Sequence, residues 1–168
     1  MGRRGGGCGQ PPLIGRADRY TPDNAVSNAA DEEWAVDVRA TNRRVIEQFR
    51  AGGPVEGMHR DRLVLLTTTG RRTGNPHTTP MMFHRDGDRL LVVASNVGAP
   101  NHPDWYLNLV ADPAVTVELA DDTWSATATP LRDGHYERAW AELTRLYPFF
   151  AEHARKTVRT IPVVALTR

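Results

Sequence analysis

The residues best suited to chemistry form a short glycine-bounded loop, Gly70-Arg71-Arg72-Thr73-Gly74-Asn75. Glycine permits backbone conformations closed to other residues, so the amides of this loop can converge on an anion. The adjacent arginines add charge and a planar fork that suits phosphate. The alternative is a solvated hairpin turn that is merely basic, and the loop alone leaves both interpretations open. A predicted strand follows it, and no Gly-Lys-Ser/Thr is present, which excludes a dinucleotide fingerprint and a nucleotide P-loop.

Other kinds of reactive group are missing from the sequence. The six histidines show no metal-ligand spacing, so no metal site is expected. No Gly-x-Ser-x-Gly elbow occurs, and the single cysteine, Cys8, lies in a glycine-rich tail. Hydrolase chemistry therefore lacks its nucleophile. A loop, a cleft and aromatic residues remain, which favours a domain that takes its reactivity from a bound organic cofactor.

The elements that must position the loop are mostly strands. Apolar and alternating runs, separated by turn residues such as Asp86-Gly87, predict strands at 63–69, 77–84, 89–95, 115–119, 124–129 and 161–166. A first helix is predicted to open at Asp31 and to end at Gly52-Gly53-Pro54. Its apolar stripe is Trp34, Val38, Thr41, Val45 and Phe49. A helix beginning with Pro103 and another over 134–147, broken by Pro148, complete a mainly β (α+β) fold, a small antiparallel barrel.

Length and charge limit the function classes. The chain has 168 residues, which fits one domain over 31–168 behind a flexible N-terminal tail, 1–30. A net charge of +1 gives no support for a nucleic-acid partner. No run of about 18 apolar residues exists, so no membrane span is expected, and the default compartment is the cytoplasm. The first helix mixes Arg39, Arg43 and Arg44 with Asp37 and Glu47, so a peripheral membrane contact through a basic face is not supported.

Several blocks in order resemble a known family. They are residues 65–76, Pro80, residues 104–109, Asp112-Pro113, Leu146-Tyr147-Pro148 and residues 159–164. Together they resemble the deazaflavin (coenzyme F420)-dependent nitroreductases and F420H2-dependent quinone reductases, from about residue 31 to the end. The resemblance implies a split β-barrel of about six antiparallel strands, with the N-terminal and C-terminal helices packed around it. It also implies coenzyme F420, a flavin-like hydride carrier with a phosphate and an oligoglutamate tail.

The resemblance assigns roles to residues of this chain. Anionic groups of the cofactor would meet the paired arginines, which is the physical sense of the assignment. The phosphate and tail would be held by Arg71, Arg72, Thr73 and Gly74. The ribityl chain and ring would be lined by Asn75, Pro76, His77, Pro80, Met81 and Met82. The deazaflavin would be bordered by Ala94, Ser95, Asn96, Val97 and Gly98, and closed on its other side by Pro103, Asp104, Trp105 and Tyr106.

The implied reaction is hydride transfer from reduced F420 to a small acceptor such as a quinone, an activated alkene or a nitroaromatic. Tyr147 and Ser95 are the candidate catalytic residues, and Tyr147 matches a family tyrosine that would orient the acceptor or donate a proton. Where some members carry further tyrosines, this chain has Phe149, Phe150 and His153, which predicts an acceptor other than a nitroimidazole.

Two other functions stay open at this point. One is an FMN-dependent oxidoreductase on the same fold, and the other is a non-catalytic protein that binds F420. The arginine loop discriminates weakly in favour of the deazaflavin, because its tail is more anionic than the single phosphate of FMN. The expected partner is a small-molecule hydride acceptor, and the expected assembly is a monomer or a homodimer.

Overall fold

The computed structural model describes residues 29–168, with side chains in the first helix described from Asp37 onward. The predicted tail, 1–30, lies outside the described residues except for Ala29 and Ala30, which already belong to the first helix. Cys8 also lies outside them, as does the side chain of Trp34. Within the described part of the chain, no helix is long and apolar enough to cross a membrane.

Six antiparallel strands close into a barrel, which confirms the predicted fold class. They run in the order β1-β2-β3-β6-β5-β4, and β4 pairs with β1 to complete the ring. The hairpin β2–β3 turns at Gly87, with φ of +60°, as the Asp-Gly signal predicts. The strands are β1 (Leu63–Thr69), β2 (Pro76–Asp86), β3 (Arg89–Val93), β4 (Ala114–Glu118), β5 (Thr123–Pro130) and β6 (Val163–Thr167).

Four helices surround the barrel. They are α1 (Ala29–Arg50), α2 (Asp104–Ala111), α3 (Asp133–Leu146) and α4 (Phe149–Arg155). Helix α1 begins before Asp31, the predicted start, and Pro103 caps α2 with ψ of 149° instead of forming its first turn. Pro148 separates α3 from α4, as predicted, because a proline cannot continue α3.

The buried apolar residues form three cores, and alternating strand residues supply two of them. Inside the barrel, β1 contributes Val64 and Leu66, and α2 plugs one end with Trp105 and Leu109. The outward residues Leu91 and Val163 pack under α3 and α4. A leucine or valine buried this way stabilises the fold by about 1.5–3 kcal/mol.

Helix α1 packs outside the barrel through the third core. Val45 and Phe49 are buried against Leu63 and Leu65 of β1. Thr41 is exposed, so its place in the predicted apolar stripe was wrong. Threonine is a polar residue that is mostly found exposed, so helical spacing alone does not bury it.

The third predicted strand was too long at its end. Strand β3 stops at Val93, so Ala94 and Ser95 belong to the following loop. Ser95 adopts helical dihedral angles, and Asn96 has φ of +47°, so the extended backbone cannot continue. The chain therefore turns sharply after β3, within the 94–98 segment that the resemblance assigns to the border of the deazaflavin.

Candidate functional site

The arginine loop joins β1 to β2 as a tight hairpin. Gly70 N donates to Asn75 O at 2.8 Å, and Gly74 N donates to Gly70 O at 2.7 Å. Gly74 has φ of +71°, which favours glycine. A Cβ on Gly70 would lie 2.8 Å from the side chains of both His77 and Thr73. The two glycines are therefore required by the shape of the loop, which holds Arg71 and Arg72 at the surface.

Arg71 ties this loop to helix α2. Its Nη1 donates to Asp104 Oδ1 at 3.1 Å and to Asn108 Oδ1 at 3.3 Å, and its backbone N donates to the same Asn108 oxygen at 3.2 Å. Asn108 is buried and donates from Nδ2 to Thr68 Oγ1 at 3.2 Å. This network fixes the loop against the start of α2. Arg72 is exposed and has no hydrogen-bond or ion-pair partner among the described residues, so its whole fork is available to an anion.

Helix α2 forms the next wall. Trp105 is buried and Tyr106 is half-buried, with their rings edge to face at 6.2 Å. Trp105 belongs to the barrel core, and Tyr106 packs against that core from a more exposed position. Tyr106 also lies 4.9 Å from the ring of His102, which precedes the helix. The two neighbouring aromatic residues therefore differ in burial, since Trp105 belongs to the core and Tyr106 keeps part of its ring exposed.

Strand β2 carries predicted site residues on both of its faces. Pro76 and His77 are exposed near the arginine loop, and Pro80 is half-buried further along. Met81 packs against the barrel interior, while Met82 packs against the outer core under α3 and α4. Successive strand residues point to opposite faces, so the two methionines cannot line one side of a ligand together.

The loop after β3 has an uncommon backbone. Asn96, Val97 and Gly98 have φ of +47°, +55° and +85° in succession. Ala94 and Ser95 are buried before the turn, whereas Val97 is 60% exposed at its tip. A Cβ on Gly98 would lie 2.6 Å from the carbonyl oxygen of His153, so the loop packs directly on α4. Such strain is characteristic of functional sites.

Helix α4 contacts this loop through a second polar pair. His153 Nδ1 lies 3.1 Å from Ser95 Oγ. Partial burial, followed by the charge of Lys156, lowers the pKa of His153 below its usual value of 6.5. This direction favours the neutral imidazole. One ring nitrogen of a neutral histidine accepts and the other donates, so the pair can hold the Ser95 hydroxyl in either direction.

Tyr147 lies between α3 and α4, in contact with β2. Its hydroxyl is 3.4 Å from His84 Nδ1, and the two rings are edge to face at 5.9 Å. His84 Nε2 in turn lies 3.8 Å from Glu142 Oε1. The same tyrosine packs on Phe150, and the four rings of this region are termed the aromatic cluster: Tyr147, Phe149, Phe150 and His153.

A cavity of the described residues lies at the opposite end of the barrel. It has a volume of about 570 Å³, between the β2–β3 and β4–β5 hairpins. Its rim mixes Arg85 and Arg168 with Asp88, Asp121 and Asp122, so it carries no net charge suited to a polyanion. None of the predicted site residues lines it. The predicted site residues instead lie on two pairs of elements in contact, the arginine loop with α2 and the 94–98 loop with α4.

Sequence reasoning missed four residues that support the predicted ones. Asn108 and Arg159 lie within the family-like blocks, yet nothing in their spacing indicates contacts more than thirty residues away. His84 and His102 carry no sequence signal, because their partners, Tyr147 and Arg159, come from distant segments. The one signal that could have drawn attention to Asn108 and Arg159 is their place inside these blocks.

Known proteins resemble this chain over most of its length. A family model described as F420H(2)-dependent quinone reductase matches residues 38–168. An F420H(2)-dependent quinone reductase of Mycobacterium tuberculosis is 36% identical over 133 residues, which are 77% of this chain and 84% of that protein.

Two solved structures add a comparison of folds. A structure described as an F420-H2 dependent reductase is 36% identical with a TM-score of 0.58, covering 66% of this chain and 99% of its own. Another, described as a domain-swapped dimer, is 29% identical with a TM-score of 0.59, covering 83% and 99%.

Proposed function

The chain belongs to the F420H(2)-dependent quinone reductase family, and from this we propose that it reduces a quinone at the end of the barrel where the arginine loop meets α2. Family membership makes the chain an enzyme that depends on reduced F420. The quinone acceptor and the site itself are our proposal.

The residues present suit an anionic, flavin-like cofactor. The glycines shape a loop that is exposed at the surface, and its hydrogen-bond donors are Arg71, Arg72 and the Thr73 hydroxyl. Such charge-assisted hydrogen bonds are about twice as strong as neutral ones. We assign the phosphate and tail to this loop, with Asn75, Pro76, His77 and Pro80 beside the ribityl chain. Arg72 would make the main contact, because Arg71 is already engaged with Asp104 and Asn108.

One observation carries the proposal: Arg71 contacts the first turn of α2. That contact joins the cationic loop to the helix that bears Trp105 and Tyr106. The resemblance assigned the two ends of one cofactor to these elements, which are separated by thirty residues in sequence. Their direct contact supports a single continuous site, with the ring region between α2 and the 94–98 loop.

When bound, reduced F420 supplies a hydride. A quinone that accepts a hydride becomes a hydroquinone anion, whose oxygen then needs one proton. We propose that Ser95 Oγ–H passes one proton to this oxygen and in the same step takes one from protonated His153, whose Nδ1 lies 3.1 Å away. His153 would then recover its proton from solvent.

Tyr147 is the second group with a proton to offer. Its hydroxyl lies near His84 Nδ1, so the tautomer of that imidazole determines whether the hydroxyl donates or accepts in this contact. We propose that Tyr147 orients the acceptor. Glu142 would fix the His84 ring through Nε2, as a carboxylate commonly does for a functional histidine.

The aromatic cluster supports a planar apolar acceptor. Phe149 is 44% exposed and Val97 is 60% exposed, which gives the mouth of the site two apolar side chains. A flat quinone ring can pack on such groups by area and by ring stacking. Phe149 and Phe150 carry no hydroxyl to hold a nitro group, so a nitroimidazole is the less suitable acceptor.

An acceptor panel tests the proposal. Purified protein would be mixed with F420H2 and a naphthoquinone, an enone or a nitroaromatic, and the return of oxidised F420 absorbance would be followed. We expect fast oxidation with the naphthoquinone and at least tenfold slower oxidation with the nitroaromatic. A preference for the nitroaromatic or the enone would contradict the quinone assignment, and bound F420H2 that no acceptor oxidises would favour a binding protein.

A homodimer is the assembly that we propose, of the two expected from the sequence. The domain-swapped dimer described for a 29% identical structure supports it. Light scattering on the purified chain tests it, since twice the mass of one chain is expected and the mass of one chain contradicts it.

A further inference from the structure

Arg159, between α4 and β6, donates to four acceptors in one small region. Its Nε donates to Ala99 O at 3.0 Å, its Nη1 to Ala94 O at 3.1 Å, and its Nη2 to Ser95 O at 2.7 Å. Nη1 also lies 3.1 Å from His102 Nδ1. A guanidinium carries five N–H donors, so four of the five are engaged.

These contacts bracket the strained turn. Ala94 and Ser95 precede the three left-handed residues, and Ala99 follows them. A left-handed conformation is unfavourable for a β-branched residue such as Val97 and persists only when its surroundings enforce it. Gly98 is pressed against α4 on one side, and Arg159 holds the backbone on the other. The guanidinium thus supplies the constraint that the turn requires.

The charge of Arg159 has another unusual feature. No carboxylate of the described residues forms an ion pair with it, so three carbonyl oxygens and the ring nitrogen of His102 receive its donors. Partial burial lowers its pKa, although an arginine stays charged. Lysine keeps such a charge but carries three donors on one nitrogen and lacks the rigid fork, so it cannot reproduce these four contacts from three nitrogens.

We propose that Arg159 is a positioning residue of the reductase, which holds the 94–99 segment and His102 in the arrangement that receives the deazaflavin. The inference rests on the proposed function, because that function assigns this segment to the cofactor wall. His102 packs on Tyr106 at 4.9 Å, so the same side chain also fixes the start of α2. One arginine that does not itself contact the acceptor therefore shapes two walls of the site.

The test compares R159K and R159A with a matched control, R60K. Arg60 also donates to backbone carbonyls, Phe49 O at 2.7 Å and Gly53 O at 3.3 Å, but it lies at the opposite end of the barrel. Hydrogen exchange of residues 94–99 would be measured without cofactor, and the Kd for oxidised F420 by fluorescence. In R159K we expect exchange at least tenfold faster in that segment only, and a Kd at least tenfold weaker. R60K should change neither.

Each other result has a defined meaning. Exchange and affinity of the wild type in both R159K and R159A would overturn the inference. R159A is needed because it removes every donor, whereas a lysine could retain some of the contacts. Faster exchange with an unchanged Kd would remove the segment from the cofactor wall, and the inference with it. Wild-type protein that does not bind F420 at all would instead contradict the proposed function before any variant is compared.

Discussion

His153 Nδ1 on α4 lies 3.1 Å from the hydroxyl oxygen of Ser95, a hydrogen bond between residues that are far apart in sequence. It joins the last helix to the loop that follows β3. Since Gly98 packs on the carbonyl of the same histidine, α4 and the loop contact each other through both side chain and backbone. The proposed proton donor is thus held by an imidazole whose pKa is lowered by burial and by Lys156.

The first prediction concerns pH and stability. The unfolded chain binds a proton at His153 at a higher pH than the folded chain does, because the folded pKa is lowered. Stability from this residue is present above pH 6.5 and is lost as pH falls through the folded pKa. Urea unfolding at pH 7.5 and 5.5 should show a smaller loss for H153N than for the wild type. Some loss remains in the variant, because the pKa of His102 is lowered too. Equal losses in the two proteins would remove His153 as a cause.

The second prediction concerns Arg72. Its guanidinium has no partner in the described part of the chain, so R72A should leave the free energy of unfolding nearly unchanged. The Kd for F420 should weaken by about tenfold or more, the value of one charge-assisted hydrogen bond. The double variant R71A/R72A should lose about 2–4 kcal/mol of binding free energy. Fluorescence titration measures both, and R85A, an exposed arginine at the far hairpin, is the control. Unchanged affinity in the double variant would refute the phosphate role.

The third prediction separates turnover from binding at Tyr147. Y147F removes the hydroxyl beside His84 and keeps the ring, so kcat should fall by about tenfold or more while the Kd for F420 stays within about twofold. Y136F is the matched control, because the Tyr136 hydroxyl donates to Ile161 O and lies away from the proposed acceptor. Equal kcat in Y147F and the wild type would exclude the hydroxyl from the reaction.

The fourth prediction concerns the buried amide of Asn108. N108A leaves the Thr68 hydroxyl and the Arg71 amide without their partner, so the free energy of unfolding should fall by about 1–3 kcal/mol. The arginine loop would also lose its anchor on α2, so F420 should bind more weakly. N108D keeps the acceptor for Arg71 and loses only the donor to Thr68. Weaker cofactor binding in N108D than in N108A would contradict the anchoring role.

Local pattern was enough to predict the barrel. Val115 and Val117 alternate with half-exposed or exposed residues, as do Ala126 and Ala128, and each alternation became a strand with one buried face. An unbroken apolar run such as Leu90–Ala94 indicates burial on both faces of a strand, and Leu90, Leu91 and Val92 are all buried. A period of two is a local property of the chain, and the barrel follows from it by pairing.

The supporting contacts of the site could not be predicted in the same way. The left-handed turn at Asn96 and Val97 depends on Arg159, some sixty residues later, and the hydroxyl of Tyr147 depends on His84 from another strand. No local rule links these pairs, because they meet only after the barrel closes. The roles of the predicted site residues came from the family resemblance, and the structure adds how Arg71 and Ser95 are held.

Cofactor titration tests the central claim most directly. The wild-type protein would be titrated with F420, with a deazaflavin that lacks the phosphate and tail, and with FMN, following fluorescence. If the arginine loop and the 94–98 loop form one site, F420 should bind tightly and the truncated deazaflavin should bind at least tenfold more weakly. In R72A the ratio of these two Kd values should be smaller than in the wild type. Tight binding of FMN with no response to F420, or equal affinity for the complete and truncated deazaflavins, would contradict the account.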